Sequence, residues 1–456
     1  MDISGKLPQE AKKVGNSTKS VTVIGGGLAG VEASFQAAKR GCDVTLYEMR
    51  PNTNTGAHTT DYLGEIVCSN SLGSDGEASA QHLLKNELRA LNSIIMSTAD
   101  NNRVPAGQAL AVDRELFAKS LTAQIEGLSN IKVIREEVTE LPQSDILVIA
   151  TGPLTSDSMA SSIAKLLGED SLYFFDAQAP IVDYESIDME HAFWGTRYEK
   201  GDPDYLNCPM TKEEYDAFYE ALISAKLAEM HDFENKKLFE ACMPIEEIAR
   251  RGQQTMAFGP LKPVGFIDPK TNARPYAIIQ LRKENAEGTA LNLVGFQTRL
   301  KWGEQKRVFS LIPALRNANF LRYGVMHRNT FINGPKHLAP TLQLKANSNI
   351  LFAGQITGVE GYIESTSSGI LAGINASMLA FDKEPIAFPH GTAIGALAYH
   401  VSEKEHKGQF QPSNMNFGIL PEPIPPFKKN ERRELIIANC IREFEGIQRI
   451  LSDREV

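Results

Sequence analysis

Three glycines at the spacing Gly25-x-Gly27-x-x-Gly30, an acid at Glu48 and five cysteines are the residues of this 456-residue chain whose types and positions bear most directly on chemistry. The glycines separate a β-branched run, residues 20–24 (SVTVI), from a stretch of helical composition, Val31 to Arg40. In that setting the first glycine permits a tight turn, the second lets the backbone approach a pyrophosphate, and the third lets helix and strand pack closely. The helix N-terminus adds N–H groups and a favourable dipole for phosphate. Gly25, Gly26, Gly27, Leu28, Ala29 and Gly30 are therefore the expected pyrophosphate cradle. Glu48 closes a second strand, residues 43–47 (DVTLY), 18 residues beyond Gly30, where an acid accepts ribose hydroxyl bonds. An acid at that point favours a nucleotide with a free 2′-OH, so FAD or NAD rather than NADP.

The cysteines stand at 42, 68, 208, 242 and 440, with no CxxC pair and no secreted framework. The nine histidines are scattered and no zinc spacing occurs, so no metal ligands are expected. Reduced thiols and a cytoplasmic setting follow. Cys242 lies between a charged helical stretch and Met243-Pro244, with Arg250 and Arg251 close behind, and nearby positive charge lowers a thiol pKa. Cys42, Cys208 and Cys440 read as packing residues. For Cys68 and Cys242 the residue types alone leave both packing and reactivity open.

The elements that must position these groups form a pattern. Strand, glycine turn, helix and second strand make a βαβ unit of about 30 residues. Two further buried strands, 146–150 (ILVIA) and 349–353 (NILFA), run into the Ala150-Thr151-Gly152 and Ala353-Gly354-Gln355 turns, and a helix follows over about 368–381. Like strands at both ends with different material between them predict an α/β fold. It is a doubly wound, Rossmann-type dinucleotide-binding domain (20–175 and 331–456) carrying an inserted α+β domain (176–330). Residues 211–240 have helical periodicity, with Thr211 and Glu214 as a capping box. Residues 1–19 are polar, with no apolar core of a secretory signal, and read as a tail or tag remnant.

Charge narrows the partners. The whole chain carries −9, which excludes an overall basic nucleic-acid coat. Between 245 and 330 the balance reverses, with 14 Lys/Arg against 6 Asp/Glu. Arg250, Arg251, Lys301, Lys306 and Arg307 are the cations that an RNA partner would meet there, with Arg316 and Arg322 in the same stretch, but charge alone equally fits a solvated face. Trp302 and Tyr323 lie among them as possible stacking surfaces. The most apolar late stretch, 369–381, is too short to span a bilayer.

Several blocks carry a resemblance. Residues 23–30 (VIGGGLAG), 67–72 (VCSNSL), 110–114 (LAVDR), 239–246 (FEACMPIE), 258–265 (FGPLKPVG), 327–331 (HRNTF) and 353–362 (AGQITGVEGY) resemble the folate- and FAD-dependent tRNA uracil methyltransferase family, TrmFO. The last block is also similar to the longer wobble-uridine flavoprotein GidA. The resemblance covers the chain from residue 20 onward. It implies FAD as the bound nucleotide, methylenetetrahydrofolate as carbon donor, NADH or NADPH as reductant, and the T-arm of tRNA as partner, with no membrane or protein partner. The implied reaction is methylation of uracil C5 in the T-loop uridine. The same machinery acting on a ribosomal RNA uridine, and an idle flavoprotein serving as an RNA chaperone, are the alternatives.

Uracil C5 is a poor nucleophile. A thiolate added at C6 makes it an enolate that attacks a one-carbon electrophile, and a base then removes the C5 proton. By match to the family's blocks, Cys242 is the implied nucleophile and Cys68 the second functional cysteine, a base or partner near the flavin. Gly152, Gly354, Gln355, Gly361 and Tyr362 are the residues expected around the flavin end, Tyr362 as a wall between flavin and folate.

Overall fold

A computed structural model describes residues 19–169, 172–199, 201–228, 243–403, 410–428 and 430–453. Its centre is a six-stranded sheet in the order Gln343–Leu344, Asn347–Phe352, Leu147–Ile149, Ser20–Ile24, Asp43–Glu48, Ile131–Arg135. All are parallel except the Gln343–Leu344 edge, which runs antiparallel to its neighbour. Strands buried on both faces must be apolar throughout, and Val23, Leu46, Val148, Ile149 and Phe352 are fully buried. The order places Ser20–Ile24 beside Leu147–Ile149 in the middle of the sheet, so the glycine turn after residue 24 and the Ala150-Thr151-Gly152 turn open side by side at the carboxyl ends of these strands. Ligands of doubly wound sheets bind at this end of the strands.

The helix Leu28–Lys39 is clamped against Tyr362–Ala380, which begins six residues earlier than its apolar stretch suggested. Two glycines one turn apart make the close approach possible. A Cβ at Gly369 would stand 2.4 Å from the Ala29 carbonyl oxygen, and one at Gly373 would stand 2.6 Å from that of Ala33.

A buried acid ties the next layer together. Glu87, on the helix Ala80–Ala90, accepts the N–H groups of Ala393 (2.7 Å) and Ile394 (2.9 Å) at the start of the helix Ala393–Ser402. Burial pushes its carboxyl up to about 7, against those two bonds. The unfolded chain releases this proton near pH 4.5 and the folded one only near 7, so its contribution to stability falls as pH rises through that window. The advantage of the wild type over Glu87→Gln is expected to shrink by about 3 kcal/mol across the window, read from urea melts at successive pH values.

A second, antiparallel sheet of six strands runs Phe193–Gly195, Tyr205–Met210, Ala277–Lys283, Ala290–Leu293, Ile181–Asp183, Phe320–Arg322 and has its own core around Phe218, Phe296 and Phe309. The ribbon Leu172–Ala177 paired with Met326–Phe331 links the two sheets. The capping box at Thr211 and Glu214 is present, but the helix it starts, Lys212–Ile223, ends well short of residue 240. Ser224 caps it, and Leu227 then bridges Leu300 as extended chain, which packs a side chain that further helix would turn outward. Residues 229–240 lie outside the described residues. Among the described residues no helix is long and apolar enough to cross a membrane.

Candidate active site

The glycine turn opens into a cleft of about 450 Å³. Gly25, at φ +104°, takes a turn no other residue adopts easily, and a Cβ there would lie 2.4 Å from the Ala150 carbonyl oxygen. A Cβ at Gly30 would lie 1.8 Å from the Gly25 carbonyl oxygen, so the third glycine seats the helix on the turn. Gly27 differs: a Cβ there would meet nothing within 4 Å, and it leaves the helix start without a side-chain cap. The exposed N–H end thus faces the cleft, and the arrangement fits a pyrophosphate.

Glu48 lines the same cleft. One carboxylate oxygen accepts the Gly26 N–H at 2.9 Å, and the other accepts the buried Arg50 guanidinium at 2.8 Å. Arg50 in turn binds Glu65 at 2.9 Å. Burial would raise the Glu48 carboxyl, but Arg50 and the Gly26 N–H outweigh it and hold it below its ordinary value. Glu48 is therefore ionised and held against the glycine turn. Arg50 and Glu65 were not singled out by the sequence, because nothing in their spacing marks them.

Gly152, Gly354, Gln355, Gly361, Tyr362 and Cys68 line the same cleft, with Gly354 so close to the glycine turn that a Cβ there would lie 2.9 Å from the Ala29 side chain. All the expected cofactor residues line it except Gly30, which acts through packing. Gly354 (φ +83°) donates its N–H to Ser368 Oγ at 2.6 Å, and Gln355 hydrogen-bonds Glu360. Glu364 also lines the cleft, with its carboxyl pushed up to about 7 by burial, and it accepts the Met415 N–H at 2.9 Å.

Cys68 is half-buried, and four elements hold its loop. Its N–H donates to the Tyr362 hydroxyl at 2.8 Å. Its carbonyl accepts Arg114 Nη2 at 3.3 Å and Arg322 Nη2 at 3.5 Å, and Arg114 is itself paired with Glu284 at 3.0 Å. Arg282 reaches Ser69 Oγ at 2.7 Å and Asn70 Oδ1 at 3.0 Å. Two helices that pack on the parallel sheet and two strands of the antiparallel sheet thus fix the loop of a thiol that lines the cleft. Cys42, Cys208 and Cys440 are buried, as packing residues should be, and burial pushes the Cys208 thiol up to about 12.

A family model for glucose inhibited division protein A matches residues 20–384. The methylenetetrahydrofolate–tRNA-(uracil-5-)-methyltransferase TrmFO of Natranaerobius thermophilus is 55% identical over 427 residues, 93% of this chain and 98% of that protein. The chain belongs to the TrmFO family. The TrmFO protein of Lysinibacillus sphaericus is 56% identical over 92% of this chain and 96% of its own length. The solved structure of Aquifex aeolicus GidA in its form I crystal shares the fold, with a TM-score of 0.69 and 19% identity over 95% of this chain and 76% of that one. The chain is thus a flavoprotein of the TrmFO–GidA kind.

Of the two cysteines singled out in the TrmFO blocks, Cys242 lies outside the described residues. The stretches that flank it are anchored together. Ala228 N–H donates to the Arg299 carbonyl at 2.8 Å, and Ile245 N–H donates to the carbonyl of Gln297 at 2.8 Å. Gln297 lines the cleft. Glu246, fully buried, accepts Thr298 Oγ1 at 2.9 Å and the Arg299 N–H at 2.8 Å.

The basic stretch divides. Arg250, Arg251, Lys301, Lys306 and Arg307 are exposed, with Arg250 on Glu247 (2.8 Å) and Arg307 on Glu304 (2.6 Å). Arg282, Arg299 and Arg322 instead turn inward, so part of the positive excess braces the Cys68 and Glu246 loops rather than facing RNA. Arg322 is the clearest departure from expectation. It ends the Phe320–Arg322 edge strand, where its guanidinium finds the Val67 carbonyl at 3.2 Å.

Proposed function

We propose that the protein methylates uracil C5 of the T-loop uridine of tRNA in the cytoplasm, taking carbon from methylenetetrahydrofolate and reducing equivalents from NADH or NADPH. The observation that carries this is that Cys68 lines the same cleft as the glycine turn and Glu48. In this reading Gly25–Gly30 hold the pyrophosphate of FAD, Glu48 its ribose, and Gly152, Gly354, Gln355, Gly361 and Tyr362 surround its redox-active end. FAD bound there and reduced by NADH or NADPH would supply the two electrons that take the transferred carbon to the methyl level.

The chain's own residues do the rest. The Cys242 thiolate forms a bond to uracil C6 and moves the electron pair to C5 and O4. C5 then bonds to the donor carbon, whose carbon–nitrogen bonds to the folate break with their electron pairs left on the folate nitrogens, each of which takes a proton. Cys68, braced by Arg114, Arg322 and Tyr362, takes the C5 proton, and elimination breaks the sulfur–C6 bond and frees Cys242. Gln297, which lines the cleft and binds Ile245, supports this assignment, since Ile245 is only three residues from Cys242 and three residues span at most about 10 Å. Residues 176–330 form the RNA side.

Methylenetetrahydrofolate labelled in its one-carbon unit, incubated with NADPH and an unmodified tRNA transcript, should place label in 5-methyluridine at the T-loop position. S-adenosylmethionine should not replace it. Label only in ribosomal RNA fragments would move the target, and no label in either would refute the reaction. For the RNA side, the double reversal Lys306→Glu, Arg307→Glu should raise the KM for tRNA several-fold. It should also flatten the log–log salt dependence by about one to two units. An unchanged slope would remove these residues from the interface.

A further inference from the structure

Trp302 is 64% exposed, an unusual state for so large an apolar side chain. It opens the helix Trp302–Phe309, and its ring lies on Tyr323 at 6.0 Å between centroids and 17° between planes. Tyr323 lies in turn on Phe320 at 5.4 Å and 13°, and Phe320 touches the buried Phe309. Three near-parallel rings thus lead from core to surface and end in an open indole. Gln305 fixes the stack by bonding the Leu300 carbonyl (2.7 Å) and both the carbonyl and N–H of Gly324 (each 2.8 Å).

Its location matters more than its exposure. Tyr323 adjoins Arg322, whose guanidinium reaches the Cys68 carbonyl. Gly324 is pressed so closely on the Gln178 carbonyl oxygen that a Cβ would stand 2.5 Å from it. Trp302 is three residues from Arg299, which binds the Glu246–Glu247 segment beyond Cys242. The stack therefore sits between the Cys68 loop and the Glu246–Glu247 segment. Around it the charge is positive: Lys226, Lys301, Lys306 and Arg307 are exposed, Lys301 donates its N–H to the Lys226 carbonyl at 3.1 Å, and Glu304 is the acid on the same helix.

We propose that the open face of Trp302 is a stacking platform for an unpaired nucleobase of the RNA substrate, beside the site that takes the target uridine. The proposal rests on the RNA-methylating reading above and adds a named site to it. A base taken out of its stack loses its neighbours, and a rigid aromatic face replaces them whatever the base's identity, while the surrounding cations meet the backbone. The pre-stacked rings hold the indole in place, so little side-chain freedom is lost on binding.

The chain has two tryptophans, which makes the test direct. In the FAD-loaded Trp194→Phe variant, Trp302 alone reports. Titration with an unmodified tRNA transcript should quench its emission saturably, and a plain RNA duplex should not. Trp302→Ala should weaken tRNA binding about 5- to 150-fold with unchanged FAD content, and Trp302→Phe should recover most of it. Normal tRNA affinity in Trp302→Ala, with unmoved emission in the reporter, would overturn the platform while leaving the RNA reading intact. Failure of the parent protein to bind any RNA would sink both.

Discussion

Replacing Cys242 by alanine is expected to abolish methyl transfer while leaving FAD bound. The uracil ring has no other route to a nucleophilic C5 in this account, so the loss should be at least about 10³-fold and not a shift in KM. Every residue assigned to the nucleotide lies in a different part of the chain, between Gly25 and Gly152 or between Gly354 and Tyr362. The variant should therefore purify yellow and keep its visible flavin spectrum while forming no 5-methyluridine. Cys68→Ala offers a useful contrast. Its loop is held by backbone bonds to Tyr362, Arg114 and Arg322 that survive loss of the thiol, so its defect should be chemical and not structural. Normal turnover by Cys242→Ala would show that the nucleophile is elsewhere.

The second large effect belongs to Gly30→Ala, which should give colourless protein. A Cβ at this position would meet the Gly25 carbonyl oxygen at 1.8 Å and the Ala150 side chain at 3.3 Å. The first contact is with backbone of the cradle itself, so the helix must move off the turn and the N–H groups lose their aim. The cost in stability should be about 1–3 kcal/mol, as for other overpacked sites. Gly27→Ala separates the two roles. Its Cβ would enter only open cleft, so the apoprotein should melt normally yet bind FAD poorly. Stoichiometric FAD in purified Gly30→Ala, by absorbance after heat release, would contradict the cradle.

The cradle was legible because its chemistry is backbone chemistry. Glycine spacing, a β-branched strand before it and an acid after the next strand dictate local geometry within about 30 residues. The doubly wound class followed from buried strands whose composition needs two covered faces. What escaped notice are partners far apart in the chain. Arg50 with Glu65, Arg114 with Glu284, and Arg322 with the Cys68 loop are ordinary charged residues in sequence, and only the fold brings them together. Arg322 shows why a charge count misleads here: a positive excess identifies a stretch, but a guanidinium at a strand end pairs with whatever carbonyls the neighbouring loop leaves open. The helix expected to run to residue 240 failed for a related reason. Helical periodicity continues past Ser224, but Leu227 gains more by pairing with Leu300 than by extending an exposed helix. The roles of the two cysteines came from the blocks that contain them. Neither a thiol's neighbours in sequence nor its spacing identifies uracil chemistry.

The most direct test of the central claim follows the C5 proton. The FAD-loaded protein would be given NADPH, methylenetetrahydrofolate and an unmodified tRNA transcript tritiated at uracil C5, and tritium released to water would be counted. The account predicts release that requires folate, matches 5-methyluridine formed, and vanishes in Cys242→Ala. Tritium retained on the RNA by a protein with FAD bound and reducible would contradict it.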